Sequence, residues 1–206
     1  MYNTTMQRTL PDWSIVNPIV SLYLSGTDAQ RDRGRAWYPT ARRKCAAIAR
    51  QNGSTTARVA AVLAITSPDA QLVTNLRWAR EWAERPGTKV GRYPTLMGAK
   101  CWRAWTATRP SEWVTGDKVR PFYNAIMGDT DALVLDRWAL RLATGSDSTG
   151  APNRRKAELL YRDAADELGE NLRDLQAIVW TIGREAMTRP DGTRVKLVDI
   201  HDGEAS

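Results

Sequence analysis

Residues 115–143, TGDKVRPFYNAIMGDTDALVLDRWALRLA, place a lysine at the start of one helical run and an aspartate just before the next. Lys118 and Asp136 are 18 residues apart, with the turn residues Gly128 and Asp129 between them. An amine attacks electrophilic carbon when neutral, and a fixed carboxylate stabilises developing positive charge. Either residue also has an ordinary reading. Lys118 can be a solvated helix residue, and Asp136 can cap the helix RWALRLA, a role worth about 1 kcal/mol. For Asp136 the two roles are compatible, because a cap fixes the direction of the carboxylate.

Composition narrows the chemistry around this pair. The 206 residues are 42% apolar, with nine tryptophans and one phenylalanine, enough for one sizeable domain or two small ones. The formal net charge of +7 favours an acidic partner, nucleic acid before membrane. Cys45 and Cys101 are the only cysteines, and His201 is the only histidine. Four-thiolate zinc sites, cubane clusters and Ser–His–Asp hydrolysis are therefore set aside. The cysteines read as small core residues. No apolar run approaches membrane-spanning length, so no membrane partner and a cytoplasmic setting, in a bacterial or phage-infected cell, are expected.

The elements that must position the pair are helical. Pro39 to Arg50 reads as a helix stopped at Asn52-Gly53. Thr55 or Thr56 caps TARVAAVLAIT, and Ser67 caps a helix beginning at Pro68. Residues 86–94 form a basic loop, a tryptophan-rich helix runs over 95–106, and Ser111 caps a further segment. Beyond the quoted stretch, the Gly/Ser-rich connection 144–153 precedes helices over about 153–168 and 171–187. In the last helix, Leu172, Leu175, Ile178, Val179, Ile182 and Ala186 recur at three and four residues as a buried stripe. Gln176 and Trp180 beside that stripe read as structural. The expectation is an all-α domain over residues 1–190, in which N- and C-terminal helices pack together. A polar tail, 191–206, follows, and a small hairpin is expected around Asp191-Gly192.

Gly116-Asp117-Lys118, the intervening helix, and Val134-Leu135-Asp136-Arg137-Trp138 resemble the core of the helix-hairpin-helix DNA glycosylases. The resemblance covers roughly residues 55–145 and includes VAAVLAITSPDAQLVTNLRWA upstream. It implies a glycosylase-like helical bundle, with Lys118 as nucleophile and Asp136 as electrostatic stabiliser or base. Cleaving an N-glycosidic bond builds positive charge on the sugar, which a carboxylate beneath it stabilises. A neutral lysine attacking the anomeric carbon gives a Schiff base that permits strand cleavage. Such a lysine needs a lowered pKa; Arg120 and a helix N-terminus act in that direction, and Asp117 acts against it. The sequence departs from the family pattern at Trp113-Val114-Thr115-Gly116, which lacks the first hairpin glycine, and Arg137-Trp138 stands where Thr-His is frequent. The whole chain also resembles small helical proteins of actinobacterial phages that share its GDK, D-R-W and QAIVW blocks.

The resemblance places Gln71, Asp69, Tyr123 and Trp138 as candidates around a flipped base. Gly116, Arg120, Lys100, Arg103, Lys89 and Arg92 are candidate contacts to double-stranded DNA. Tyr123 can equally pack against Leu135. Trp102 and Trp105, and likewise Trp78 and Trp82, share helix faces that stack on bases, pack in the core or meet a protein partner. The clusters Arg42-Arg43-Lys44 and Arg154-Arg155-Lys156 are helix surface or phosphate contacts. No cofactor and no metal are required. Three readings follow: a DNA glycosylase, with or without lyase activity; a phage base-hypermodification transferase that displaces pyrophosphate from an activated pyrimidine; and a binding module without chemistry.

Overall fold

The computed structural model describes residues 17–68, 72–87 and 95–187. These residues are all-helical, with ten α-helices and one short 3-10 helix and no strand among them. The helices are α1 (Pro18–Ser25), α2 (Asp28–Arg35), α3 (Trp37–Gln51), α4 (Thr56–Ile65) and α5 (Leu72–Glu84). They continue with α6 (Thr95–Thr106), the 3-10 helix (Pro110–Trp113), α7 (Val119–Met127), α8 (Arg137–Thr144), α9 (Ala151–Leu168) and α10 (Leu172–Ala186). The expected hairpin around Asp191-Gly192 and His201 lie outside the described residues.

Helix α4 is the hub of the first half. Every residue from Val59 to Ile65 is buried, as expected of a helix apolar on all sides and surrounded by neighbours. Thr55 caps it by accepting from the Arg58 N–H. Around it pack α3, α5, α6, α7 and the 3-10 helix, with Tyr38, Cys45, Trp82, Cys101, Val114 and Ile126 in the shared core. Burial pushes the thiols of Cys45 and Cys101 up to about 12, which keeps both as inert thiols.

A second core joins the first and the last of the described helices. Ile19 and Val20 of α1 pack with Leu140, Tyr161, Leu175 and Val179 from α8, α9 and α10. Asn17 starts α1 by accepting from the Ile19 N–H while its amide donates to the Leu160 carbonyl of α9. Neither α1 nor α2 is evident from hydrophobic periodicity. The sequence of α2, DAQRDRGR, has a single buried residue, Gly34. A capping box between Thr27 and Gln30 starts it. Arg33 then pairs with Glu185 of α10 at 2.7 Å, and Gln30 donates to the same carboxylate. Those hydrogen bonds hold the Glu185 carboxyl below its ordinary value.

Other boundaries also shift from expectation. Helix α3 begins two residues before Pro39, which sits in its first turn. The segment expected to start at Ser111 is the 3-10 helix. Pro68, expected in the first helical turn, lies in a turn outside the helix, and the described residues of α5 run from Leu72. Arg42, on the exposed face of α3, also has a structural role: its Nη1 donates to the Met127 carbonyl at 2.8 Å and caps the C-terminus of α7. Gly128 follows in the left-handed region, φ +112°, where a side chain would be strained.

Candidate functional site

The hairpin between the 3-10 helix and α7 spans residues 114–118. Val114 is fully buried and anchors it, and its carbonyl accepts from Arg120 Nε at 3.1 Å. Gly116 has φ +114°, so the turn needs glycine at this point. The turn ends at Lys118, the N-cap of α7. Nine helical residues and an irregular connection later, Asp136 is the N-cap of α8, and its Oδ1 accepts from the Ala139 N–H at 2.7 Å. Each residue thus sits at the head of a helix, where the dipole is positive.

Both face one cavity of about 590 Å³. It lies between α3, α5 and α7 on one side and α10 on the other, within the range of small-molecule sites. Lys118 Nζ donates to the Ser67 carbonyl at 3.3 Å. Trp37, Phe122 and Trp180 supply aromatic walls, with Trp37 5.9 Å from the Phe122 centroid and 6.4 Å from Trp180. Arg184 also lines the cavity, and its guanidinium lies 5.1 Å from the Trp180 ring and 5.4 Å from that of Trp138. Those indoles hold the guanidinium in place by cation–π contact.

Arg154 of α9 ties the pair together. Its guanidinium donates to the Asp117 carbonyl at 3.1 Å and to the Leu135 carbonyl at 3.3 Å, the residues immediately before Lys118 and Asp136. Sequence alone groups Arg154 with a surface cluster because its acceptors are backbone atoms 37 and 19 residues away. Arg154→Met keeps the stem and removes both bonds, each worth about 1.5–3 kcal/mol for a charged donor. The expected result is a lower urea midpoint than that of the unsubstituted protein, which equilibrium urea unfolding of the two would check.

Several candidate positions lie elsewhere. Tyr123 does not line the cavity; it is buried in the core around α4, and Phe122 faces the cavity instead. One residue turns about 100° on a helix, so the choice between neighbours decides the face. Trp138 also does not line the cavity, and it acts on it only as the surface beneath Arg184. Lys100 donates to Thr115 at 3.4 Å, and Arg103 lies 5.1 Å from the Trp113 ring, so both sit beside the hairpin. Arg120 opens onto a neighbouring groove shared with Asp117, Arg154 and Glu158. Asp69, Gln71, Lys89 and Arg92 lie outside the described residues. Of the tryptophans, Trp82 is buried, whereas Trp102 and Trp113 are exposed.

Among the lining residues, the sequence does not single out Trp37 and Tyr38, and Gln176 and Trp180 read there as structural. Tyr38 is fully desolvated, and its Oη donates to Gln176 Oε1 at 2.8 Å. Burial, and then the charge of Asp136, push that phenol well above its ordinary value, so it stays a neutral donor. Nearby, Asn75 donates to the Leu63 carbonyl at 2.6 Å and accepts from the Thr66 hydroxyl, so both ends of its amide are engaged by the fold. The one readable signal was the polar Gln176 inside an apolar stripe.

Among the described residues no cluster of His, Cys, Asp or Glu could hold a metal ion, and no helix is long and apolar enough to cross a membrane. No curated protein and no solved structure matches the chain. A family model does match, over residues 1–187, and by that match the chain belongs to a family of unknown function, DUF7178.

Proposed function

We propose that this protein is a DNA glycosylase of helix-hairpin-helix type that extrudes a base from duplex DNA and cleaves its N-glycosidic bond. The observation that carries the reading is the convergence of Lys118 and Asp136, from the heads of successive helices, on one aromatic-walled cavity. Aromatic faces compensate an extruded base for the stacking it loses in the duplex. In the reaction, the C1′–N bond breaks and its electron pair leaves with the base, which then takes up a proton. Asp136 stabilises the positive charge left on the sugar. Neutral Lys118 Nζ bonds to C1′, and after loss of the nitrogen proton and ring opening the product is a Schiff base. Elimination from that imine breaks the C3′–O bond. In this reading Lys100, Arg103 and Arg120, the basic residues beside the hairpin, contact phosphates.

The test is a panel of duplexes carrying uracil, 5-hydroxymethyluracil, alkylated or oxidised bases, incubated with and without borohydride. A covalent protein–DNA adduct that disappears in Lys118→Ala, a loss of at least about 1,000-fold in trapped product, is the expected result. Base release without an adduct would reduce the reaction to a monofunctional one resting on Asp136. DNA binding with neither product would overturn the glycosylase and leave a binding module.

One observation favours a second reaction on the same site. Arg184 and Lys118 line the same cavity, so it presents two cations. A leaving diphosphate would use both. In that transferase an amine displaces pyrophosphate from an activated 5-hydroxymethyl pyrimidine and the sugar bond survives. Pyrophosphate release from such DNA without base release would identify it.

A further inference from the structure

Two polar side chains at the cavity wall have hydrogen-bonding capacity that the fold does not use. Gln176 is 4% exposed and lines the cavity. Its carbonyl Oε1 is taken by the Tyr38 hydroxyl, and no described residue accepts from its Nε2. The orientation of this amide follows from Tyr38. That phenol makes no other hydrogen bond, so turning the amide over would leave its proton without an acceptor in a desolvated site. The NH2 group is therefore the part of Gln176 left for whatever enters. Ser67 is 6% exposed, also lines the cavity, and its buried Oγ has no partner. Native interiors rarely leave such atoms unsatisfied, and an exception inside a cavity marks a place for ligand polar atoms.

Resting on the glycosylase reading, we infer that Gln176 is the specificity-determining residue of the base pocket and selects bases that present a carbonyl edge, 4-oxo pyrimidines and 6-oxo purines, over their amino counterparts. A fixed N–H donor pairs with a ring carbonyl and meets an exocyclic amine donor to donor. Ser67 does not discriminate, because a hydroxyl donates or accepts as required. Trp37, Phe122 and Trp180 grip any flat ring and supply affinity without choice. Tyr38 acts through Gln176 as a positioning residue. A site built to hydrogen-bond one edge rejects the wrong edge by leaving buried polar groups unpaired.

The experiment uses matched pairs that differ only at that edge, uracil with cytosine and hypoxanthine with adenine. Each is presented as the free base and as an uncleavable 2′-fluoro nucleotide in duplex DNA, with binding read from tryptophan fluorescence. The carbonyl member of each pair is expected to bind at least about tenfold more tightly. Gln176→Glu keeps an oxygen for Tyr38 and turns the other face from donor to acceptor, so the preference should disappear or invert. Tyr38→Phe, the second variant, frees the amide to rotate and should bring each pair within about twofold while leaving stacking affinity. Equal binding of the two members by the unsubstituted protein overturns the inference and leaves the glycosylase proposal standing. Failure of every duplex to bind removes the glycosylase proposal instead, and the free bases then decide the inference alone. No binding of any base overturns it as well.

Discussion

Asp136→Asn is expected to fold as the native protein does and to release base about 100- to 1,000-fold more slowly. The substitution separates two roles that coincide in one side chain. As the N-cap of α8, Asp136 Oδ1 accepts from the Ala139 N–H. Asparagine carries an equivalent carbonyl oxygen and ranks with aspartate as a cap, so stability should change by less than about 0.5 kcal/mol. The charge is lost entirely. Besides burial, the charge of Asp136 raises the pKa of the phenols of Tyr38 and Tyr161, so its field acts inside the protein. Removing one preorganised electrostatic group from such a site costs about two to three orders of magnitude in rate. Asp136→Ala is the control: it loses the cap as well, about 1 kcal/mol, and should be slow and less stable together. Thermal unfolding beside single-turnover base release distinguishes the two variants. Native rates in Asp136→Asn would reduce Asp136 to a helix cap.

Asp136 is also a case of what the sequence displays openly. A carboxylate one residue ahead of a periodic run announces its cap, and Thr55 before TARVAAVLAI does the same. Helix α10 is visible from its stripe, and α4 from its density of apolar residues. Helix α2 is hidden for a physical reason: it lacks an apolar face and is held by a capping box, ion pairs and one glycine against α10. Its Thr27-x-x-Gln30 signature was present in the sequence all the same. The site divides along similar lines. Lys118 and Asp136 lie close in sequence, are singled out by the resemblance over residues 116–138, and line one cavity. Gln176 depends on Tyr38, 138 residues away, and a buried glutamine on an apolar stripe carries no local sign of that partner. Phe122 against Tyr123 is a question of register, which periodicity resolves only to about a residue. Arg154 acts through backbone carbonyls, whose positions no side-chain pattern encodes.

Gly34→Ala tests the contact that connects this hidden helix to the site. A methyl group added at Gly34 would stand 2.4 Å from the Cα of Ile178 and 2.8 Å from its backbone N, closer than atoms approach. The obstacle is the backbone of α10, so no rotamer change relieves it. Overpacking of this kind costs about 3 kcal/mol, while alanine recovers about 1 kcal/mol of helix propensity over glycine. A net loss of roughly 2 kcal/mol is expected in urea unfolding. Trimming the side chain with Ile178→Ala should not restore it, since the Cα and N remain. Gly183→Ala provides the comparison: its added methyl meets only the side chain of Leu142, at 2.9 Å, and that flexible end can move. Its loss should be well below that of Gly34→Ala. The displacement also reaches function, because Gln176 and Trp180 flank Ile178 on the same helix and line the cavity. Base affinity should therefore fall in Gly34→Ala even under conditions where the protein is fully folded. An unchanged unfolding midpoint together with unchanged affinity would mean that α2 can lift from α10 without disturbing the site.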